Sequence, residues 1–336
     1  MRIRPLTPEL NVSEIGFGNW TVTTGWWGQY TRSEAIALHR AAYDAGITLF
    51  DTSDAYGEGY GEEVLGEALA DVADDVVITT KFGYDISDAS TESRRGQQER
   101  AKDFGLDAVG AALDASLSRL GTDRIDCWQL HNPRLAHLED DALFAFLDDA
   151  VTAGKIRSYG VALGPKIGWR DEGVAALVDR RVPVVHMIHN LLEQDPGNEL
   201  LGVARDTGAK ALIRVPHSSG MLEGNLTADT VFDENDHRRH RPRSWLLEGL
   251  EKIATLDFLT GGRTLAQAAL RWVLADDAVA AALPNIYGAG QLEEFTAASD
   301  VADLDADELA RVAELYADNF GVTPLAAQTQ KVGSGS

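Results

Sequence analysis

Short apolar runs rich in β-branched residues alternate with amphipathic stretches of helical period along nearly the whole chain, the pattern of a parallel sheet built from strand–helix units. Eight runs read as strands, at 15–18, 48–51, 76–81, 125–130, 156–162, 184–189, 211–215 and 278–283. Helical periodicity falls between them at 32–45, 61–70, 106–120, 141–153, 171–178, 199–207 and 264–274, and after the last run at 291–298 and 305–316. Thr31, Ser33 and Glu34, and the pair Asp140 and Asp141, supply caps or first-turn acids, while Gly46, Gly121, Gly154 and Gly208 stand where a left-handed residue ends a helix. Eight such units with no Pro/Gly/Ser-rich linker predict an α/β fold closed into one (β/α)8 TIM barrel, a single domain over 1–330. The last residues, 331–336, read as a flexible tail. An open doubly wound sheet is the competing architecture. It should carry a G-x-G-x-x-G turn, and Gly16-Phe-Gly18-Asn-Trp-Thr21 lacks the third glycine.

Three segments interrupt the spacing: 20–31 with its three tryptophans, 84–104, and 216–243. In a barrel each follows a strand, on the face where sites are built, so they are candidate lids.

Composition narrows the class. The 336 residues are 44% hydrophobic and 25% charged, which is globular, and no apolar stretch approaches the roughly 18 residues of a membrane span. A secretory leader would put an apolar stretch where residues 1–10 carry two Arg and two Pro, so a cytoplasmic protein is expected. One cysteine, Cys127, excludes a disulfide framework or a Cys-based zinc site within one chain, and no metal is expected. With 53 acidic against 30 basic residues the net charge is -23, which repels nucleic acid and anionic membrane. An Asp-rich surface with only seven Lys suits a salty cytoplasm, a halophilic reading.

On a barrel, reactive side chains belong at the C-terminal ends of strands. Asp51, Lys81 and His131 close the second, third and fourth runs, and Tyr56 lies five residues past Asp51. Alone, each has an ordinary structural explanation. Together they have a joint chemistry: an ammonium at Lys81 favours the phenolate of Tyr56, Asp51 keeps that ammonium charged, and His131 orients a carbonyl oxygen toward the phenol. Carbonyl reduction needs that set, because a proton must reach oxygen while a hydride reaches carbon.

The stretch LFDTSDAYGEGYGEEVLGEAL (49–69), the strand VVITTKFG (76–83) and the segment RIDCWQLHNP (124–133) resemble, in order and spacing, the three signature regions of the aldo-keto reductase superfamily. The likeness runs over roughly 4–316. It implies an eight-stranded barrel, a nicotinamide cofactor bound extended without a Rossmann domain, and a tetrad in which Tyr56 donates the proton, Lys81 and Asp51 tune it, and His131 positions the substrate. It also implies cofactor contacts from Gly18, Asn19 and Trp20 after the first strand. Further contacts are implied from Arg214, Val215, Pro216, His217, Ser218 and Gly220 in a pyrophosphate loop after the seventh strand. Where the family usually has Ser-Asn after the fifth strand to hold the carboxamide, this chain has Ala162-Leu163, and where it has Gln and an aromatic on the sixth, His186 and His189. After the last strand, Asn285, Ile286, Gln291 and Glu294 match cofactor positions, but 283–295 contains no cation for a 2'-phosphate. The cluster His237-Arg-Arg-His-Arg-Pro-Arg243 is the alternative source, with Arg238 and Arg239 as candidate contacts. NADP is therefore expected, with NAD possible.

Trp20, Trp26, Trp27 and Tyr84, with Asn132, are candidate substrate contacts for a small carbonyl compound or alcohol. Two other functions stay open on the same barrel: a cofactor-binding regulatory subunit like the channel β-subunits, and a non-redox isomerase or lyase using Tyr56 and Lys81. Substrate, direction and oligomeric state are not legible.

Overall fold

The computed structural model describes residues 1–87, 100–164, 169–234 and 236–324, so the predicted tail at 331–336 lies outside the described residues. An antiparallel hairpin of β1 (Ile3–Thr7) and β2 (Leu10–Ser13) precedes eight parallel strands: β3 (Phe17–Gly18), β4 (Leu49–Asp51), β5 (Val77–Phe82), β6 (Ile125–His131), β7 (Ile156–Ala162), β8 (Val184–Ile188), β9 (Lys210–Arg214) and β10 (Val279–Leu283). Each strand pairs with the next in chain order. The circle closes where Ile15 bridges Ala282 and the Gly16 N–H donates to the Ala282 carbonyl at 2.9 Å. The open doubly wound alternative is thereby excluded.

Around the barrel lie α1 (Trp20–Thr23), α2 (Arg32–Asp44), α3 (Tyr60–Leu69), α4 (Leu106–Leu120), α5 (Leu135–Leu138), α6 (Asp141–Thr152), α7 (Arg170–Val174), α8 (Gly197–Thr207), α9 (Arg243–Ala254), α10 (Leu265–Val273), α11 (Ala289–Thr296) and α12 (Ala306–Ala317). The predicted caps act as expected. Thr31 and Glu34 form a reciprocal capping box on α2, and Gly121 and Gly208 end α4 and α8 with φ of 66° and 79°.

Alternation along each strand divides the core in two. Leu49, Val77, Cys127, Val184 and Leu212 point into the barrel and meet Leu6, Leu10 and Val12 of the hairpin, which plugs the bottom. Neighbouring residues such as Ile78, Trp128, Val185 and Ile213 pack outward against the helices. With the bottom filled, the open end is the C-terminal rim.

The elements differ from the sequence reading in several places, among them the short helices α1 and α5, which it did not expect. The hairpin was not expected, because Pro5 and Pro8 break its runs into fragments too short to show a period. Helix α9 was not expected, because it follows the long polar segment directly. The predicted helix at 171–178 is α7 continued by a wider π turn at Ala175–Asp179.

Candidate active site

Asp51, Lys81 and His131 stand at or beside the C-terminal ends of β4, β5 and β6, and the loop after β4 brings Tyr56 to the same rim. Lys81 is fully buried, and its three N–H donors find three acceptors: Asp51 Oδ2 at 2.6 Å, the Thr52 carbonyl at 2.7 Å and the Tyr56 hydroxyl oxygen at 3.4 Å. Because the phenol oxygen accepts from Lys81, its own hydrogen remains available toward the rim, where Tyr56 is half-buried. Asp51 accepts further bonds from Thr79 Oγ1 at 2.6 Å and Gln129 Nε2 at 3.5 Å. Such a carboxylate can sit inside a barrel because its lone pairs are occupied.

Burial by itself would depress Lys81, but Asp51 and Tyr56 outweigh it and hold the ammonium above its ordinary 10.5. Burial pushes the Tyr56 phenol up, Lys81 pulls it back, Asp51 pushes it up again, and the balance lies above 10.0. This corrects the expectation of a lowered phenol: the ammonium acts in the expected direction, and desolvation wins. The His131 imidazole is held well below 6.5 by burial first and then by the charges of Lys81, Arg214 and Lys102. It is neutral near pH 7. Its Nδ1 lies 3.0 Å from Ser53 Oγ, and its ring meets Tyr56 and Tyr84 edge-on with centroids 6.1 and 4.7 Å away.

Of the predicted substrate contacts, Asn132 donates to the Tyr84 hydroxyl at 2.5 Å, which puts both beside His131. Trp20 and Trp27 lie in a second cluster around the His237 ring, at 5.4 and 4.7 Å, and the Trp26 carbonyl accepts from the His237 N–H. The turn at His237 is thus laid against the tryptophan loop.

The expected cofactor residues divide. Beyond Gly18 a Cβ would meet nothing within 4 Å, so the rim is open there. Asn19 is a brace, with its N–H on the Asp51 carbonyl and its side-chain amide donating to the Gly61 carbonyl at 2.8 Å. Ala162 ends β7 beside His186, whose ring points into the barrel 3.8 Å from Asp51 with neither nitrogen hydrogen-bonded among the described residues. His189 is a correction: it points outward and packs on Trp272 of α10 at 4.8 Å, because odd positions of β8 and its extension face the helices. His217 is another, with Nε2 3.1 Å from the Ala266 carbonyl and its ring on Phe295, so only its backbone belongs to the loop. Ile286 is likewise buried in the helical layer. Asn285 Oδ1 accepts from Thr21 at 3.3 Å, and Gln291 and Glu294 lie on α11.

Arg214 donates from one guanidinium nitrogen to the Leu163 and Gly164 carbonyls and lies close enough to Tyr56 and His131 to influence both. After it, Val215, Ser218, Ser219 and Gly220 all have φ between 47° and 88°; the Ser218 N–H is taken by the Val215 carbonyl at 3.0 Å, and the left-handed turn at 219–220 offers its backbone N–H groups as an anion nest. Pro216 supplies no N–H of its own. Arg241 donates to Ser219 Oγ at 3.0 Å, and a Cβ on Gly220 would fall 2.9 Å from an Arg238 nitrogen. Arg238 also stacks on Trp27 and Phe232 at 4.3 and 4.6 Å and pairs with Asp236. Arg239 is half-exposed, pairs with Glu234 at 3.8 Å and, together with Arg241, Phe232 and Trp245, lines a cavity of about 350 Å³. The arginines flanking the nest are therefore Arg238 and Arg241, where the sequence pointed to Arg238 and Arg239. His237–His240 forms a 3-10 turn, in which residues three apart share a side, a cue the bare cluster hid. Sequence reasoning also missed Ser53 and Asp54, for which no spacing signal exists.

Among the described residues no three His, Cys, Asp or Glu side chains converge as metal ligands would, and no helix is long and apolar enough to cross a membrane.

The family model described as "Aldo/keto reductase family" matches residues 14–317. The chain is 30% identical over 299 residues to the aldo-keto reductase YhdN of Bacillus subtilis, covering 85% of each protein. It is 27% identical over 312 residues to the NADH-specific methylglyoxal reductase of Escherichia coli, covering 90% of this chain and 94% of that one. Among solved structures it is similar to the glycerol dehydrogenase AKR11B4 from Gluconobacter oxydans, with a TM-score of 0.76, 24% identity and 98% of each chain covered. An aldo/keto reductase from Klebsiella pneumoniae in complex with NADP and acetate matches with a TM-score of 0.69 at 23% identity, over 94% of this chain and 95% of that one, which speaks to fold alone.

Proposed function

The chain belongs to the aldo/keto reductase family, and on that premise we propose that it reduces a small aldehyde or ketone with NADPH, or runs the reverse oxidation, with Tyr56, Lys81, Asp51 and His131 as its catalytic and positioning groups. The observation that carries the reading is the saturated Lys81 ammonium, whose third donor rests on the phenol oxygen. A phenol so held has one proton to give and a cation waiting to stabilise what is left.

The rim fits a dinucleotide. The nest at 219–220, flanked by Arg238 and Arg241, suits a pyrophosphate, and the space beyond Gly18 leaves that part of the rim open to the nicotinamide end. The start of α11 has no side-chain cap on its N–H groups, which suits the adenosine end. When bound, the reduced nicotinamide supplies the hydride that turns a carbonyl carbon into an alcohol carbon.

This chain's residues manage the proton and the pose. Tyr56 gives its hydroxyl hydrogen to the carbonyl oxygen, and the phenolate that remains is paired with the Lys81 ammonium. Asp51 keeps that ammonium charged in a buried place. Neutral His131 and the Asn132–Tyr84 pair hold the oxygen end of the substrate, and the aromatic walls of the tryptophan loop exclude water. The regulatory reading is disfavoured by the intact tetrad. The cation for a 2'-phosphate comes from the Arg238 and Arg241 pair.

Fluorescence titration with NADPH and NADH, followed by turnover of a carbonyl panel, tests the proposal. Wild type should bind and turn over. Tyr56→Phe should bind equally and lose about 100-fold or more of turnover, the usual weight of a positioned general acid. Undiminished turnover in that variant would remove Tyr56 from the role, and binding without turnover by wild type would favour the regulatory function.

A further inference from the structure

The loop that carries Tyr56 also carries Ser53, which touches His131 from behind, and Asp54, which touches Ser53. Ser53 Oγ lies 3.0 Å from His131 Nδ1 and 3.1 Å from Asp54 Oδ1, and it also accepts from the Ala55 N–H at 3.1 Å. All three side chains, Ser53, Asp54 and His131, are buried. A hydroxyl has one hydrogen to donate and two lone pairs, and one lone pair is already taken by Ala55. Toward Asp54 and His131 it must therefore donate to one and accept from the other.

The two arrangements are exclusive. If Asp54 is ionised it can only accept, so Ser53 donates to it and must accept from His131 Nδ1–H. The neutral ring then has a bare Nε2. If Asp54 is protonated it donates to Ser53, Ser53 donates to Nδ1, and the ring hydrogen is on Nε2. We infer that Ser53 and Asp54 form a relay that sets the tautomer of His131, so that the same imidazole donates to a carbonyl oxygen in one state and accepts from an alcohol hydroxyl in the other. This rests on the proposed role of His131 at the substrate oxygen.

The states differ by one proton. Passing from the first to the second, a proton arrives at Nε2, the Nδ1 hydrogen returns to Ser53, and the Ser53 hydrogen passes to Asp54; the reverse releases the proton from Nε2. Buried Asp54 thus exchanges with the rim through the imidazole, and the midpoint belongs to the three groups as a unit. The surroundings place it in a useful range. Burial, with the Glu62 carboxylate of α3 adding to it, pushes Asp54 up to about 7, against weaker pulls from its Ser53 and Ala55 hydrogen bonds and from Arg119 of α4. Glu62 is itself held by Arg119 at 2.7 Å and Thr80 at 2.6 Å, and the Asp54 N–H donates to the Lys81 carbonyl. Around the ring, Lys81, Arg214 and Lys102 oppose an imidazolium, which leaves the tautomer as the variable.

Long-range 1H–15N spectra of the protein with 15N-labelled histidine, taken from pH 5.5 to 8.5 and assigned with His131→Gln, read the tautomer directly. Wild type should pass from Nε2–H to Nδ1–H across a midpoint near 7. In Ser53→Ala the passage should vanish, and in Asp54→Ala the ring should stay Nε2–H throughout, since Nδ1 is then the hydroxyl's only acceptor. Carbonyl reduction by wild type should fall about tenfold per pH unit above the same midpoint, and Ser53→Ala should lose that inflection. One unchanging tautomer in wild type, or a midpoint that survives Ser53→Ala, overturns the relay. If His131→Gln instead leaves reduction untouched while the wild-type spectra switch as expected, the relay stands and the substrate role of His131 is what fails.

Discussion

Removing the Lys81 ammonium would leave the Asp51 carboxylate, 4% exposed, without its ion-pair partner, hydrogen-bonded to neutral donors at Thr79 and Gln129 and with Arg214 as a more distant cation. A buried charge stripped of its partner costs roughly 3–5 kcal/mol. Lys81→Met should therefore lower the unfolding free energy by about that amount in a urea titration, while Tyr56→Phe, altering a half-buried group, should change it by less than about 1 kcal/mol. A Lys81→Met protein as stable as wild type would mean that Asp51 is protonated in the fold and that no ion pair exists at rest. The four residues were legible because their types are rarely needed together for packing and each falls at a strand end or just past it. Ser53 and Asp54 were not. A serine and an aspartate after a strand are ordinary loop residues, and only the distance to His131, 78 positions away in sequence, gives them chemistry.

At the scale of elements, the segment between β9 and α9 bears on cofactor choice. It is fixed by Arg238 stacking on Trp27 and by His237 between Trp20 and Trp27. Arg238→Ala and Arg241→Ala should each weaken NADPH binding by about tenfold or more, the weight of one charge-assisted hydrogen bond, whereas Arg239→Ala should change it little. Equal losses in all three would indicate a diffuse field instead of contacts. Fluorescence titration decides between them. The hairpin carries a separate prediction: Leu6, buried against the barrel floor, should cost about 2–5 kcal/mol when replaced by Ala, with little effect on substrate affinity at the distant rim. Neither element could be read fully from sequence. A strand's period shows that one face is buried but not which neighbour fills it, so His189 looked like a rim residue until its parity with Val185 and Met187 became visible. Strand β7 and helix α4, long and regularly patterned, were read to the residue.

Over the whole molecule, acid and salt should act on stability by separate routes. Burial lowers His39, His189, His217 and His237 to about 4 and His131 and His186 well below 6.5. Unfolded, each regains an ordinary value near 6.5. Between about 4 and 6.5 the unfolded chain therefore binds more protons, and stability that is full above this window falls as pH drops through it, by up to about 1.4 kcal/mol per pH unit for each ring. Asp54, at about 7 in the fold, runs the other way, as do Asp126 and Glu223, whose carboxyls burial also raises; acid relieves these three, against the six rings above. The net charge of -23 is a different matter: it strains the fold at every pH where the carboxylates are ionised, and 1 M KCl shortens the screening length to about 3 Å. The melting temperature at pH 7 should therefore rise on going from 0.05 to 1 M KCl. The fall in unfolding free energy from pH 7 to pH 5 should persist in 1 M KCl, because its cause is desolvation of rings that salt does not reach. His39→Leu should make that fall shallower by up to about 1.4 kcal/mol per pH unit. A pH dependence abolished by KCl would assign the effect to surface repulsion and leave the buried histidines without a part in it.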